Sequence, residues 1–303
     1  MDDVHNSYGE RDFLTRSVSW FLLKTRLVKR QFGGEGFDAR VAKAQRNIPP
    51  VPGKAMRRDL DVTQSTTDGR TVWRVAPRGT PSAEVLYFHG GGYVYPIAAV
   101  HWTFIARMAK LHGIAFTVPF YPLAPASDAE QTTAFALDIY RNMAKTVSPI
   151  LMGDSAGAGL ALAVTQLAKA DGLSAPVALC LICPYLDAVP TDADQQEIEA
   201  RDPLLTLSGV RKCGESYAGD LPVEHPLCSP INGDLSDLPP TLVYGGGDDI
   251  LVTDARRLKE KVPDIDYREG PGLMHIWPVF FFRESRLAQD EIGVFARKHG
   301  SEG

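Results

Sequence analysis

Ile150-Leu151-Met152-Gly153-Asp154-Ser155-Ala156-Gly157 passes from an apolar triplet, through a serine set among small residues, into an alanine-rich stretch that runs to Ala170. Its last five residues match G-x-S-x-G, and the setting is the one that pattern requires, a strand before it and a helix after it. A strand-to-helix turn this tight forces the serine into an awkward backbone conformation and holds its hydroxyl clear of the sheet, at a helix N-terminus. Small neighbours let the two elements come close. The five-residue pattern alone recurs by chance in turns; the strand and helix around it make Ser155 a candidate nucleophile.

Outward from this turn the chain alternates. Thr71–Ala76, Ala83–Phe88, Ile114–Val118, Ile150–Met152, Val177–Ile182, Thr241–Tyr244 and Ile265–Arg268 read as strands. His101–Leu111, Ala129–Ala144, Ala156–Ala170, Asp254–Lys261 and Val279–Lys298 read as helices. Strands that are apolar throughout, separated by helices, predict an α/β fold with a mainly parallel sheet covered on both faces. Two stretches break the rhythm. Leu186 to Leu227 is acidic and proline-bearing where a short connection would suffice, as in segments that become lids over a site. From Asp12 to Arg30, apolar residues fall broadly on one helical face, interleaved with Lys24, Arg26, Lys29 and Arg30. Such a helix can lie on a membrane, but the expectation is that it packs on its own protein. Gly33-Gly34 is expected to stop it, and Pro49-Pro50-Val51-Pro52-Gly53 reads as a linker.

His89-Gly90-Gly91-Gly92 directly follows the strand Ala83–Phe88. A phosphate-cradling loop would continue with Lys-Ser/Thr or a G-x-G-x-x-G spacing, and here Tyr93-Val94-Tyr95-Pro96 follows instead. The alternative is an oxyanion hole, in which glycines let backbone N–H groups approach a developing alkoxide. His89 itself reads as a loop anchor. A serine needs a base, and a base needs an orienting acid, in the order Ser, Asp or Glu, His on this scaffold. Among the histidines that follow Ser155, His225 and His275 are the candidates. His275 sits in a glycine-rich loop after the last strand, placed to reach the sheet's C-terminal edge, whereas His225 lies in the irregular insert. For the acid, Asp248, Asp249 and Asp254 follow the strand Thr241–Tyr244; each could instead cap the next helix, and order alone does not separate Asp248 from Asp249.

Composition narrows the function further. A net charge of −5 and an isoelectric point near 5.8 argue against a nucleic-acid partner. Four cysteines in 303 residues are too few for a disulfide framework, and Cys180 and Cys183, although spaced C-x-x-C, lie in an apolar β-like run and read as buried structural thiols. No basic n-region or apolar run of membrane-spanning length is visible near the N-terminus, so a cytoplasmic location is the expectation.

Together, His89-Gly90-Gly91-Gly92, Tyr121-Pro122-Leu123-Ala124-Pro125, Gly153–Gly157, Asp249-Ile250-Leu251 and Met274-His275 resemble the hormone-sensitive-lipase-like family of α/β-hydrolase esterases. The resemblance runs from about Arg57 to Arg297. It implies an α/β-hydrolase fold, a mostly parallel eight-stranded sheet flanked by helices, in a single domain over residues 1–303. A helical cap would come from about 1–55 and about 186–226. It implies Ser155 as nucleophile, His275 as base and Asp249 as acid, with Gly91, Gly92 and Ala156 N–H groups forming the oxyanion hole. The implied activity is hydrolysis of small to medium carboxylic esters through an acyl-enzyme, with neither metal nor organic cofactor needed. A lactone or amide hydrolase on the same triad, or a non-catalytic receptor, is the alternative. The partner is a small-molecule ester; relatives are often dimers. Trp20, Phe21 and Tyr217 are candidates to line an apolar pocket. One departure is plain: the family continues Y-x-L-A-P with a glutamate that supports the local turn, and here Ala126 stands there.

Overall fold

In the computed structural model, which describes Tyr8 and residues 11–300, four helices come first: α1 (Phe13–Thr25), α2 (Lys29–Phe32), α3 (Phe37–Arg46) and α4 (Lys54–Asp59). Then β1 (Asp61–Thr67), β2 (Arg70–Ala76), β3 (Ala83–Phe88), α5 (Ala99–His112), β4 (Ile114–Pro119), α6 (Ala129–Met143), β5 (Ile150–Asp154), α7 (Ala156–Ala170) and β6 (Ala178–Ile182) follow. The insert holds α8 (Gln195–Arg201) and α9 (Leu207–Ala218), and β7 (Thr241–Asp248), α10 (Val252–Lys261), β8 (Asp266–Met274) and α11 (Arg283–Gly300) complete the chain.

The eight strands make one sheet in the order β1-β2-β4-β3-β5-β6-β7-β8. β2 runs against both neighbours, and every pair from β4 to β8 is parallel. All residues of β5 and β6 are buried, as strands covered by helices on both faces must be. The order puts the C-terminal end of β5 between those of β3 and β6, in the part of an open α/β sheet where ligands bind.

Several boundaries differ from the sequence reading: β7 runs on to Asp248 and β8 to Met274, so the glycine-rich stretch before His275, expected as a loop, is strand paired to β7. β1 was not expected: Asp-Val-Thr-Gln-Ser-Thr-Thr is an edge strand exposed along most of its length, so it lacks the apolar signature of its neighbours. Its signal is the Asp68-Gly69 pair, both at positive φ (47° and 74°), which closes the hairpin to β2. The helix expected over 12–30 ends at Thr25, because Arg26 turns left-handed (φ 52°), and only one short turn, α2, resumes it. The last helix starts at Arg283 rather than Val279, since Trp277–Val279 forms a 3-10 turn and Phe280 is extended.

The N-terminal helices and the insert pack on each other. Lys29 Nζ donates to the Glu199 carbonyl at 2.7 Å, and the Lys212 ammonium sits 5.8 Å from the Phe37 ring centroid. Gly209 lies so close to the Phe32 carbonyl that an added Cβ would fall 1.7 Å from its oxygen. Among the described residues no helix is long and apolar enough to cross a membrane.

Candidate active site

β5 delivers the chain into the turn, and α7 takes it away at once. Between them Ser155 has φ 53° and ψ −123°, a combination side chains rarely adopt and which costs of order 1–3 kcal/mol. The surroundings hold it there: Ser155 N donates to the Ile182 carbonyl at 2.9 Å. Gly157 is obligatory, because an added Cβ would stand 1.9 Å from the Phe88 carbonyl oxygen. The helix can therefore start only where β3 and β5 leave a gap without side chains.

His275 follows β8 and faces the turn. Its Nε2 is 2.8 Å from Ser155 Oγ, and its Nδ1 is 2.8 Å from Asp249 Oδ2. With the proton on Nδ1 donating to the carboxylate, Nε2 is left to accept from the serine hydroxyl. All three side chains are buried. Burial pushes the His275 imidazole down, but the charge and hydrogen bond of Asp249, with the charges of Asp202 and Asp154, outweigh it and leave the group raised above its ordinary range.

Asp248, Asp249 and Asp254 go to different partners. Asp248 pairs with Arg11 at 3.3 Å and Arg201 at 3.1 Å. Asp254 lies inside α10 and accepts from the N–H groups of Leu186 and Asp187, at the root of the insert. Asp249 meets His275 with one oxygen and accepts from Leu251 N at 2.9 Å with the other. His225 lies in the insert, where its ring accepts from Leu227 N at 3.2 Å.

Gly90-Gly91-Gly92 wraps the other side of the serine. Gly91 (φ 133°) and Gly92 (φ 60°) occupy conformations that favour glycine, and an added Cβ would meet the Tyr95 carbonyl oxygen at 2.5 Å or Cys213 Sγ at 2.8 Å. Among the described residues, the N–H groups of Gly91, Gly92 and Ala156 donate to no acceptor of the protein in these loops. His89 is an anchor: it stacks on Tyr121 with ring centroids 4.4 Å apart, and its Nδ1 meets the Gly90 carbonyl at 2.7 Å. Burial, with the neighbouring His101, pushes its imidazole down to about 4, so it is uncharged at neutral pH.

Residues that the sequence reading left without a role complete the shell. Asp154, inside the serine motif, accepts from Tyr87 Oη, from Gly90 N at 3.0 Å and from His101 Nε2 at 3.2 Å, clamping the glycine loop to the Ser155 turn. Asp202, from the insert, accepts from Leu204 N and Leu205 N with one oxygen and from Ile250 N with the other. Burial, together with the Asp249 charge, pushes its carboxyl up to about 7. Neither residue announces itself by spacing, since a lone aspartate in a loop reads as a cap or a surface charge. Near Ala126, Gln45 of α3 donates to the carbonyls of Val94 and Ala124 at 2.8 and 2.7 Å.

Above the serine lies an apolar cavity of about 420 Å³. The body contributes Tyr185, Ile276 and Phe280, α1 and the segment after it contribute Leu22, Val28 and Phe32, and the insert contributes Leu204, Leu205, Val210 and Cys213. The expected aromatic lining is corrected. Trp20 and Phe21 point outward, because a helix that turns Val18 and Leu22 inward carries positions 20 and 21 to its other side. Tyr217 is buried but stacks flat on Tyr93, with centroids 3.6 Å apart, behind the cavity wall. Cys180 and Cys183 are fully buried thiols, pushed up by desolvation.

The family description "alpha/beta hydrolase fold" matches residues 85–279. An acetyl-hydrolase of Streptomyces hygroscopicus is 31% identical over 239 residues, covering 76% of this chain and 80% of its own. An esterase of Acinetobacter venetianus is 29% identical over 223 residues, covering 70% and 74%. Human hormone-sensitive lipase is 28% identical over 149 residues, 46% of this chain and 14% of that longer one. Among solved structures, a hormone-sensitive lipase from a metagenome library superposes with a TM-score of 0.82 over 96% of this chain and 99% of its own, at 24% identity. The chain belongs to the hormone-sensitive-lipase-like family of α/β-hydrolase esterases.

Proposed function

We propose that the protein hydrolyses small to medium carboxylic esters, with Ser155 as nucleophile, His275 as general base and Asp249 as the acid that orients it. The observation that carries this reading is the continuous pair of 2.8 Å contacts, Ser155 Oγ to His275 Nε2 and His275 Nδ1 to Asp249 Oδ2, on the floor of an apolar cavity. His275 takes the hydroxyl proton as Oγ attacks the ester carbonyl, and the tetrahedral oxyanion lies against the N–H groups of Gly91, Gly92 and Ala156. The alcohol leaves with the proton from His275, and water repeats the steps on the acyl-enzyme. Asp249 fixes the tautomer of His275 and stabilises the imidazolium. The N-terminal helices and the insert act as a cap that sets which acyl and alcohol groups fit. A volume near 420 Å³ with apolar walls suits a short or medium chain rather than a polymer.

The test is hydrolysis of p-nitrophenyl esters from acetate to decanoate by the native chain, Ser155→Ala and His275→Ala. Activity with a preferred chain length, lost in both variants, supports the reading, and unchanged activity in Ser155→Ala overturns the nucleophile. Inactivity of the folded native chain toward every ester, with Ser155 still labelled by a fluorophosphonate, transfers the triad to lactones or amides. Absence of labelling as well leaves a receptor.

A further inference from the structure

α1 has two working faces, and the proposed chemistry uses one. Val18 and Leu22 turn toward the protein, while Phe13, Trp20 and Phe21 are 76%, 63% and 51% exposed. With Arg16 and Ser17 they form an i, i+3, i+4, i+7, i+8 stripe that flanks a shallow outward-facing hollow. This face is held in place. Thr15 Oγ1 and Asp12 N both donate to the buried Glu284 at the start of α11, at 2.7 and 2.5 Å, so the helix cannot roll its aromatics inward. The apolar character continues to Leu27, 56% exposed, beside Arg30, Arg40 and Lys43.

Charge identifies the occupant. Residues 13–46 carry eight Lys and Arg against Glu35 and Asp38, in a chain whose totals are 32 basic and 37 acidic. The acidic excess therefore belongs to the rest of the molecule, and the helices beside the pocket are locally basic. Exposed Trp and Phe flanked by Lys and Arg, on a helix of 13 residues that is too short to span a bilayer, is the pattern of a helix lying in a lipid interface. Acidic protein surfaces would satisfy the charges but would leave three large apolar side chains in water.

We propose that the outer face of α1 docks on an anionic lipid surface, its aromatics entering the headgroup boundary and Arg16, Lys24, Arg26 and Arg30 meeting the lipid phosphates. Leu22 and Val28, close along the chain, line the catalytic cavity, so the docked orientation sets that cavity beside the lipid. The docking stands on the helix face alone and does not require the assigned triad.

The test is flotation of the full chain with phosphatidylglycerol or phosphatidylcholine vesicles, read together with tryptophan emission. Trp73, Trp102 and Trp277 are buried, so Trp20 is the tryptophan whose emission can move to the blue on insertion. Phosphatidylglycerol vesicles are expected to float the protein, with the blue shift, and to release it as salt rises. Each basic residue near an anionic surface is worth roughly fivefold in partitioning, so Lys24→Glu with Arg26→Glu should lower binding at least about tenfold. Trp20→Ser with Phe21→Ser should abolish it while leaving circular dichroism unchanged. A folded native chain that stays at the bottom of the gradient with phosphatidylglycerol overturns the proposal, as does binding that ignores the charge reversals. A dimer that Trp20→Ser dissociates, without flotation, assigns the face to a second copy of the chain instead.

Discussion

Around Ser155 the backbone has almost no freedom: Gly153 and Gly157 touch neighbouring backbone, the serine sits at positive φ, and Asp154 ties the turn to the glycine loop by way of Gly90. Across the cavity, apart from Gly209 set against the Phe32 carbonyl, α1–α3 and α8–α9 meet through side chains, a lysine on a carbonyl, a phenylalanine under a lysine, leucines facing the space between. One region is specified by main-chain contact and tolerates almost nothing. The other is held largely by side-chain packing, so the residues lining its cavity can change volume with less cost. A hydrolase that keeps one chemistry while changing substrates would divide its structure in this way.

The comparison breaks most visibly at the nucleophile. Ser155→Ala should lower kcat roughly 10⁴-fold or more with every ester, since removal of a nucleophile leaves only the oxyanion donors and binding. Steady-state kinetics on two chain lengths checks it: a loss confined to one ester would place Ser155 in specificity rather than chemistry. Gly157→Ala is the structural counterpart. Its methyl group would overlap the Phe88 carbonyl, so β3 and α7 must separate, at a cost of about 4 kcal/mol or more. Urea unfolding should show that loss; a variant with a native midpoint would mean that the turn is softer than its contacts imply.

The two regions were unequally legible in the sequence for the same reason. A main-chain constraint writes itself as glycine and small residues at fixed spacing, and Gly153–Gly157 and His89–Gly92 could be read directly. His275 could be read from chain order, and the choice of Asp249 over Asp248 needed the family pattern. Side-chain fitting leaves no such mark. α1 was read as a helix, but its apolar residues are spread widely enough that which ones face inward was decided by Thr15 binding Glu284, a contact 269 residues apart in sequence. Trp20 and Phe21 were placed in the cavity for want of that contact. β1 was lost because an exposed edge strand has no apolar face to show.

Reshaping the side-chain region should move preference rather than rate. Leu205 is buried and lines the cavity from the insert. Leu205→Ala lengthens the space available, and kcat/KM for the longest well-cleaved acyl chain should rise about tenfold, the order expected for changes of a methylene or two in an apolar pocket. The acetate ester should change less than threefold. Equal losses across the whole ester series would show that the insert positions the catalytic residues and does more than bound the cavity.

Asp202 joins the two regions, and its effect should be the smallest and the most informative. Its carboxylate holds Leu204 and Leu205 by their N–H groups and, with its other oxygen, Ile250, the residue after Asp249. Its charge is one of those that raise His275. If His275 is the base, as proposed, it must be neutral to act, so its raised imidazole moves the acid limb of kcat/KM above the ordinary histidine range, and losing a carboxylate moves it back down. Asp202→Asn should move the limb to lower pH, together with loss of the hydrogen bond from Ile250 N worth about 1–3 kcal/mol of stability. The pH profile separates the two roles. A variant that is less stable but keeps the native limb makes Asp202 a tie between insert and acid loop, and a limb that moves makes it part of the field that tunes the base.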